Sequence, residues 1–512
     1  MLAYSFSGDF DEYKTLLRKF TLDQLLMRIN LETSELLRDE HGSFALGVKS
    51  ASYPLINYST KERSTQNVYI TGWNLIDLAY YAICSSNDFR GKKIDNEKEL
   101  YLLVSATDSV HQKRESYRID QEDLHERPNL FFYVWGFFGE QMKVETPGRV
   151  FANLSRELYI LLDIAPKNKN ISAIRDIVHN EVGVNLENVL ASLFLAWFAS
   201  TVSPLQETWE KHFAWNETLP LVDFQKVLTR YTASYDDVRS SQLKRQFLYT
   251  RPFITTQKRQ TLSINCYLNL FLIEHCVLWI VRDYYLKLGD QRFTSEFGVL
   301  FESYFQELLS EYLTETQFDR IPESIKKRAD WKLQLGKYKF LIEQKSPSLS
   351  LAAKQQESNV NTVKNFCERN IVEAIDQLHS TEEDFADGQY IKIILLYEDY
   401  LQTNILDHVF TLPACKQNND GYYWLVTIDE IETLLHLFKS NRALFDAVIG
   451  EKINREVTQS KEGKSLAQIF NKYEISENPH LSQEKFKKHL DALKEYSTAL
   501  LPDKHETFNM RC

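Results

Sequence analysis

The segment from Lys327 to Lys345 constrains this chain more than any other. It reads Lys-Arg-Ala-Asp-Trp-Lys-Leu-Gln-Leu-Gly-Lys-Tyr-Lys-Phe-Leu-Ile-Glu-Gln-Lys. Apolar residues recur at every second position on both sides of Gly336-Lys337, which is the period of a half-buried strand. Gly at the first central position suits a type II′ turn, which needs a positive φ there. Such a turn fixes the register. Leu335 then faces Tyr338, and counting outward brings Asp330 opposite Glu343.

Directly opposed residues in an antiparallel pair have Cβ atoms about 4.5–5.5 Å apart and point to one face. Lys345 lies two residues beyond Glu343 and shares that face. The opposite face carries Trp331, Leu333 and Leu335 against Tyr338, Phe340 and Ile342, a surface for packing helices. One face of the hairpin is therefore core. The other gathers two carboxylates and an ammonium. Two carboxylates this close repel, and both stay ionised when a positive group sits between them. A hard cation, Mg²⁺ or Mn²⁺, would suit, because it takes a few carboxylate oxygens and keeps waters. It could polarise a phosphate, with Lys345 steadying charge or handling a proton. An ordinary solvated hairpin face with an internal salt bridge is the alternative reading of the same residues.

The surrounding pattern is that of an α/β unit. A helix is expected from about Ser295 to Leu313, strands at Arg328–Leu335 and Tyr338–Ser346, and a polar helix over Asn361–His379. Two further strands follow, at Tyr390–Tyr397 and Tyr422–Ile428. Residues 1–290 read mainly as helices, with apolar spacing such as Leu186-Val189-Leu190-Leu193. Strand-like pieces stand at Gln66–Thr71 and Gln141–Val144. Residues 431–512 are helical again.

Asp330, then Glu343-Gln344-Lys345, resembles the PD-(D/E)XK phosphodiesterase superfamily of restriction-endonuclease-like folds. That family presents an acid and then acid-x-Lys on a hairpin; Ala329-Asp330 stands here where it often has Pro-Asp. The segment Phe297-Gly298-Val-Leu-Phe-Glu302-Ser-Tyr304 is similar to the family's first helix, which implies Glu302 as a further metal-site acid. On the helical wheel Glu302 falls beside Leu309 and Leu313, at the edge of the apolar arc. The segment Ile371-Val-Glu-Ala-Ile-Asp-Gln377-Leu378 is similar to the helix after the acid-x-Lys strand and implies a site-facing Gln377.

The resemblance implies a mostly helical α/β chain with an αβββαβ-type core at residues 291–430. A helical sensing, targeting or regulatory part at 1–290 and a helical extension at 431–512 complete it. The implied activity is metal-dependent phosphodiester hydrolysis, with Asp330, Glu343 and Glu302 as metal ligands and DNA favoured over RNA. The architecture has the flavour of bacterial anti-phage defence nucleases, which would bring an oligomer or a protein trigger. A nuclease fold that binds nucleic acid or protein without cutting remains the other class.

Charge sharpens this picture. The chain carries a net charge of −11, so a nucleic acid must meet a local basic patch rather than the whole surface. Lys326, Lys327, Arg328, Lys332, Lys337, Lys339 and Lys345 cluster around two acids, Asp330 and Glu343. Lys326, Lys327, Arg328 and Lys332 are the candidate phosphate contacts.

Six cysteines without a C-x-x-C pair give neither a zinc-site pattern nor a disulfide framework, and a reducing cytoplasm is expected. The apolar run Leu262–Tyr285 contains Asn265, Asn269, Glu274, His275 and Arg282, which argues for a buried helix rather than a membrane span. Gly463-Lys464-Ser465 has Thr458 where a phosphate loop needs Gly, so that motif fails. His179-Asn180 has no metal-ligand cluster after it, and His275-Cys276 belongs to the buried run.

Overall fold

A computed structural model describes residues 9–37, 49–56, 63–86, 90–94, 97–121, 147–242, 244–289, 292–322, 327–346, 360–385, 388–397, 405–418, 422–454, 463–475 and 478–500. The expected strand piece Gln141–Val144 and the candidate Lys326 lie outside these residues. The described chain is mostly helical with small mixed sheets.

A five-stranded sheet lies at its C-terminal half. In spatial order its strands are Tyr423–Thr427, Ile391–Leu396, Tyr338–Lys345, Trp331–Leu335 and Phe318–Arg320. Trp331–Leu335 is antiparallel to both of its neighbours, and the first two run parallel to Tyr338–Lys345. The hairpin register runs from Leu335 opposite Tyr338 to Trp331 opposite Ile342, the count that the two-residue turn dictates. Gly336 sits at φ +65°, and Lys337 is not among the residues with positive φ. That is the type II′ pattern. A Cβ at position 336 would meet the Arg442 guanidinium, the far end of a flexible side chain that can shift, so the positive φ is what favours Gly there.

Burial separates the two faces of the sheet. Trp331, Leu333, Leu335, Phe340 and Ile342 join the large core with the Arg292–Tyr312 and Ile428–Ser440 helices. Leu341, Ile394, Leu396, Tyr423 and Leu425 form a second core under the Val360–Asp384 helical segment, through Ile371, Ile375 and Leu378. That segment begins with Val360–Phe366, widens through a π-helical turn at Cys367–Val372, and continues as Glu373–Asp384. It extends beyond the Asn361–His379 expected from sequence because Thr381 stays buried and hydrogen-bonds the amide of Ala329 at 2.8 Å. Sequence reading missed the edge strand Phe318–Arg320, three residues long and too short for a periodic signal.

The described residues before 290 contain two more small sheets. Lys49–Ile56 pairs with Arg63–Ile70, which takes in most of the expected Gln66–Thr71 piece. Thr232–Ser234, Phe253–Thr255 and Thr261–Ser263 form the other. The apolar run becomes the helix Cys266–Lys287, buried along most of its length. Several of its polar groups find partners inside the protein. Asn269 donates to Ser200 and Ser263 at 3.0 and 2.8 Å, and Glu274 accepts from Asn153 at 2.7 Å. Buried polar groups need such partners. Among the described residues no single helix is long and apolar enough to cross a membrane. One pair bent by 61°, Ile174–Val182 with Leu186–Ser200, passes by length and composition, and nearly all of its second helix is buried in the core.

The large core runs without interruption from Tyr13 through the helices before residue 290 to the sheet and on to Leu493. A buried ionic network reinforces it. Arg156 donates to both oxygens of Glu432, at 2.8 and 2.6 Å, and to Asp429 at 2.9 Å. Tyr304 and Asn478 also donate to Glu432. Glu307 accepts from Tyr159 and Lys167, both at 2.7 Å. Gly463-Lys464-Ser465 serves the fold as well: Ser465 caps the Leu466–Lys472 helix with Gln468 in a capping box.

Candidate metal centre

The site lies at the end of the hairpin away from the turn. Asp330 directly precedes its strand; its amide donates to Ile342 O at 3.0 Å, and its own carbonyl accepts from Ile321 N–H at 2.9 Å. The carboxylate Oδ2 accepts from the Gln344 amide at 2.7 Å. The side chain thus takes the place of a ladder acceptor, which fixes its direction. The carboxyls of Asp330 and Glu343 are direct neighbours, each acting on the other's proton affinity.

Glu343 is only 3% exposed. Lys345 donates to its Oε1 at 2.7 Å. Oε2 has no hydrogen-bond donor. Burial pushes the Glu343 carboxyl up to about 8, the adjacent Asp330 charge adds to the rise, and Lys345 opposes it. Burial also raises Asp330, against the pull of the Gln344 amide, Lys345 and Arg320. These shifts have the expected sign for two carboxyls taken out of water side by side. A buried acceptor oxygen without a donor is costly. A proton shared with Asp330 or a bound cation would satisfy it, and in the ionised state the acid pair fits a metal.

The sheet's helical walls supply the neighbours. Gln377 comes from the Glu373–Asp384 helix: Lys345 donates to its Oε1 at 3.0 Å, and its Nε2 donates to Arg328 O at 3.4 Å. The sequence-predicted residues Asp330, Glu343, Lys345 and Gln377 therefore meet. Gln344 points to the other face, where it accepts from the Trp331 indole at 2.6 Å and donates to Phe301 O at 3.4 Å. That ties the hairpin to the Arg292–Tyr312 helix, which carries Glu302.

Glu302 does not join the acid pair in this arrangement. It is ion-paired to Arg320 of the edge strand. Among the described residues no three His, Cys, Asp or Glu side chains converge as a metal-holding group. Arg320 is the residue that sequence reading overlooked. Its signal, a lone Arg two residues before Pro322, is too weak to notice without the edge strand.

The described basic candidates find local partners. Lys327 pairs with Glu373 at 3.3 Å and Arg328 with Asp384 at 2.7 Å. Lys332 lies over the rings of Phe385 and Tyr390, 4.5 and 5.5 Å from their centroids. Sequence reading saw the density of positive charge but not the acids that the Glu373–Asp384 helix brings to it. His275 stacks on Trp279 and burial pushes the Cys276 thiol upward, as suits core groups.

The chain matches no family model, no curated protein and no solved structure.

Proposed function

We propose that this chain is a divalent-metal-dependent phosphodiester hydrolase acting on nucleic acid, with DNA the favoured substrate, Mg²⁺ or Mn²⁺ the cofactor and anti-phage defence the favoured setting. The observation that carries the reading is the buried pair Asp330 and Glu343, with a donorless carboxylate oxygen and the Lys345 ammonium against it. Structural carboxylates are seldom buried together without a dedicated counter-charge, because each disfavours the ionised form of the other. Perturbed acids in contact with a lysine suit a reaction centre.

Asp330 and Glu343 would hold the cation, and Glu302 is a third candidate ligand. When bound, the cation supplies positive charge against a phosphate oxygen and the attacking water. Lys345 stands beside Glu343, so its three donors can leave one for the phosphate or for the water nucleophile. Gln377 holds the ammonium in place from the opposite wall. The Gln344 amide orients Asp330 from the backbone.

The test is incubation of the purified full chain with plasmid DNA, linear duplex and RNA in Mg²⁺, Mn²⁺ or EDTA, beside Asp330→Ala. Cleavage that needs the metal and Asp330 supports the reading. RNA cleavage without DNA cleavage moves the substrate class. A second reading is a binding module that does not cut. It is favoured by the engagement of Lys345 with Glu343 and by the absence of a third converging acid among the described residues. Nucleic-acid binding with no cleavage in any metal would select it.

A further inference from the structure

Arg320 stands at the exposed edge of the five-stranded sheet, opposite Trp331 in register. The next residue, Ile321, hydrogen-bonds the carbonyl of Asp330, so the backbone of the edge strand is tied to the acid site itself. From there the guanidinium reaches across to Glu302 on the Arg292–Tyr312 helix and forms an ion pair. Its positive charge also acts on Asp330. One arginine is therefore the counter-charge shared by an acid outside the buried pair and an acid inside it. The Arg320 side chain is about half exposed, whereas Glu302 is more enclosed. Of the two, the arginine is the one with room to leave.

We infer that Arg320 is the resident counter-ion of this acid site, which a divalent cation must displace to gain Glu302 as a third carboxylate beside Asp330 and Glu343. The inference rests on the metal-dependent reading above and deepens it by naming what occupies the third acid before the cation arrives. A fixed positive charge next to a cation site repels the incoming ion, and a paired carboxylate must give up its partner before it can ligate. Arg320 thus lowers the cation affinity of the resting site. It acts on the cation through Glu302 and is a positioning residue.

The test is a Mn²⁺ titration of the full chain, with free Mn²⁺ followed by its EPR signal, for wild type, Arg320→Gln, Glu302→Gln and the double variant. Arg320→Gln should bind Mn²⁺ more tightly, by roughly 5-fold or more, the low end of couplings between linked sites. Glu302→Gln should bind more weakly, and adding Arg320→Gln to it should recover much less than the single substitution gains, because the coupled groups are in contact. Arg320→Lys keeps a charge without the planar fork and should give a smaller gain. Melting temperatures of the five proteins report folding alongside. Unchanged or weaker Mn²⁺ binding in folded Arg320→Gln, with wild type binding normally, would overturn the inference and leave the metal reading standing. No Mn²⁺ binding by wild type or by Arg320→Gln would overturn the metal reading, and the inference with it. Binding by Arg320→Gln where wild type binds none would support both.

Discussion

Nζ of Lys345 lies 2.7 Å from Oε1 of Glu343, while Oε2 of the same carboxylate has no donor. One oxygen is neutralised by the chain, and the other is left to a proton or a cation.

This gives a pH signature. The Glu343 carboxyl is raised from its ordinary 4.5 to about 8, so the folded state holds a proton that the unfolded chain has released. Stability linked to this group is fully present below about pH 4.5 and is lost as pH rises through about 8. Thermal melts in EDTA should therefore show a decline between those values that Glu343→Gln removes. Mn²⁺ should offset the decline at pH 8, since ligation needs the deprotonated acid. An identical pH profile in wild type and Glu343→Gln would sink the idea.

Substitution of the site should separate activity from folding. Asp330→Ala, Glu343→Gln and Lys345→Ala should each reduce metal-dependent hydrolysis by at least about 10²-fold, as loss of a charge-stabilising group commonly does. Glu343→Gln should melt no lower than wild type at pH 8 without metal, because it relieves a buried charge. Circular dichroism melts and plasmid cleavage under the same buffer check both halves. Full activity in Glu343→Gln would place the chemistry elsewhere.

The buried network between the two halves of the chain carries a larger stability effect. Arg156→Met would leave Glu432 and Asp429, held together by that arginine, without their main counter-charge. Removing one partner of a buried pair costs about 3–5 kcal/mol. A chemical denaturation midpoint far below wild type is expected. For the same reason residues 290–512 alone should be much less stable than the full chain, since the helices before residue 290 share their core. A fragment as stable as the full chain would contradict this.

Salt should report on the basic residues. Lys327→Glu and Lys332→Glu should weaken nucleic-acid binding and flatten its dependence on ionic strength, by about 0.9 in log–log slope for each duplex phosphate no longer neutralised. Arg328→Glu should do the same and also destabilise the Glu373–Asp384 helix, because it sets a second acid against Asp384. Fluorescence anisotropy of a duplex oligonucleotide across a KCl series, in EDTA to prevent cleavage, measures the slope. Slopes identical to wild type in all three variants would move the nucleic-acid surface away from the hairpin.

Much of the site was legible before any fold was known, and the legible part shares one property. The Gly336 turn, the alternation on either side of it and the positions of Asp330, Glu343 and Lys345 are all set within about 20 residues by local geometry. The buried character of Cys266–Lys287 was likewise readable from the polar residues inside an apolar run. Gln377 came from resemblance and does reach Lys345. Glu302 also came from resemblance, yet what it touches could not be read: Arg320 is 18 residues away in sequence, on an edge strand with no periodic signature.

The sequence by itself determined the two-faced hairpin and its register, because strand period and turn type act between near neighbours. Tertiary structure alone decided how far Glu343 is buried, and hence its hold on a proton, since that depends on the Val360–Asp384 segment laid over the sheet. It also decided which acids neutralise Lys327 and Arg328, and that Arg320 holds Glu302. Packing further joined residues on both sides of position 290 in one core. Charge pairing and desolvation depend on groups brought together from distant parts of the chain, and spacing along the sequence carries no measure of either.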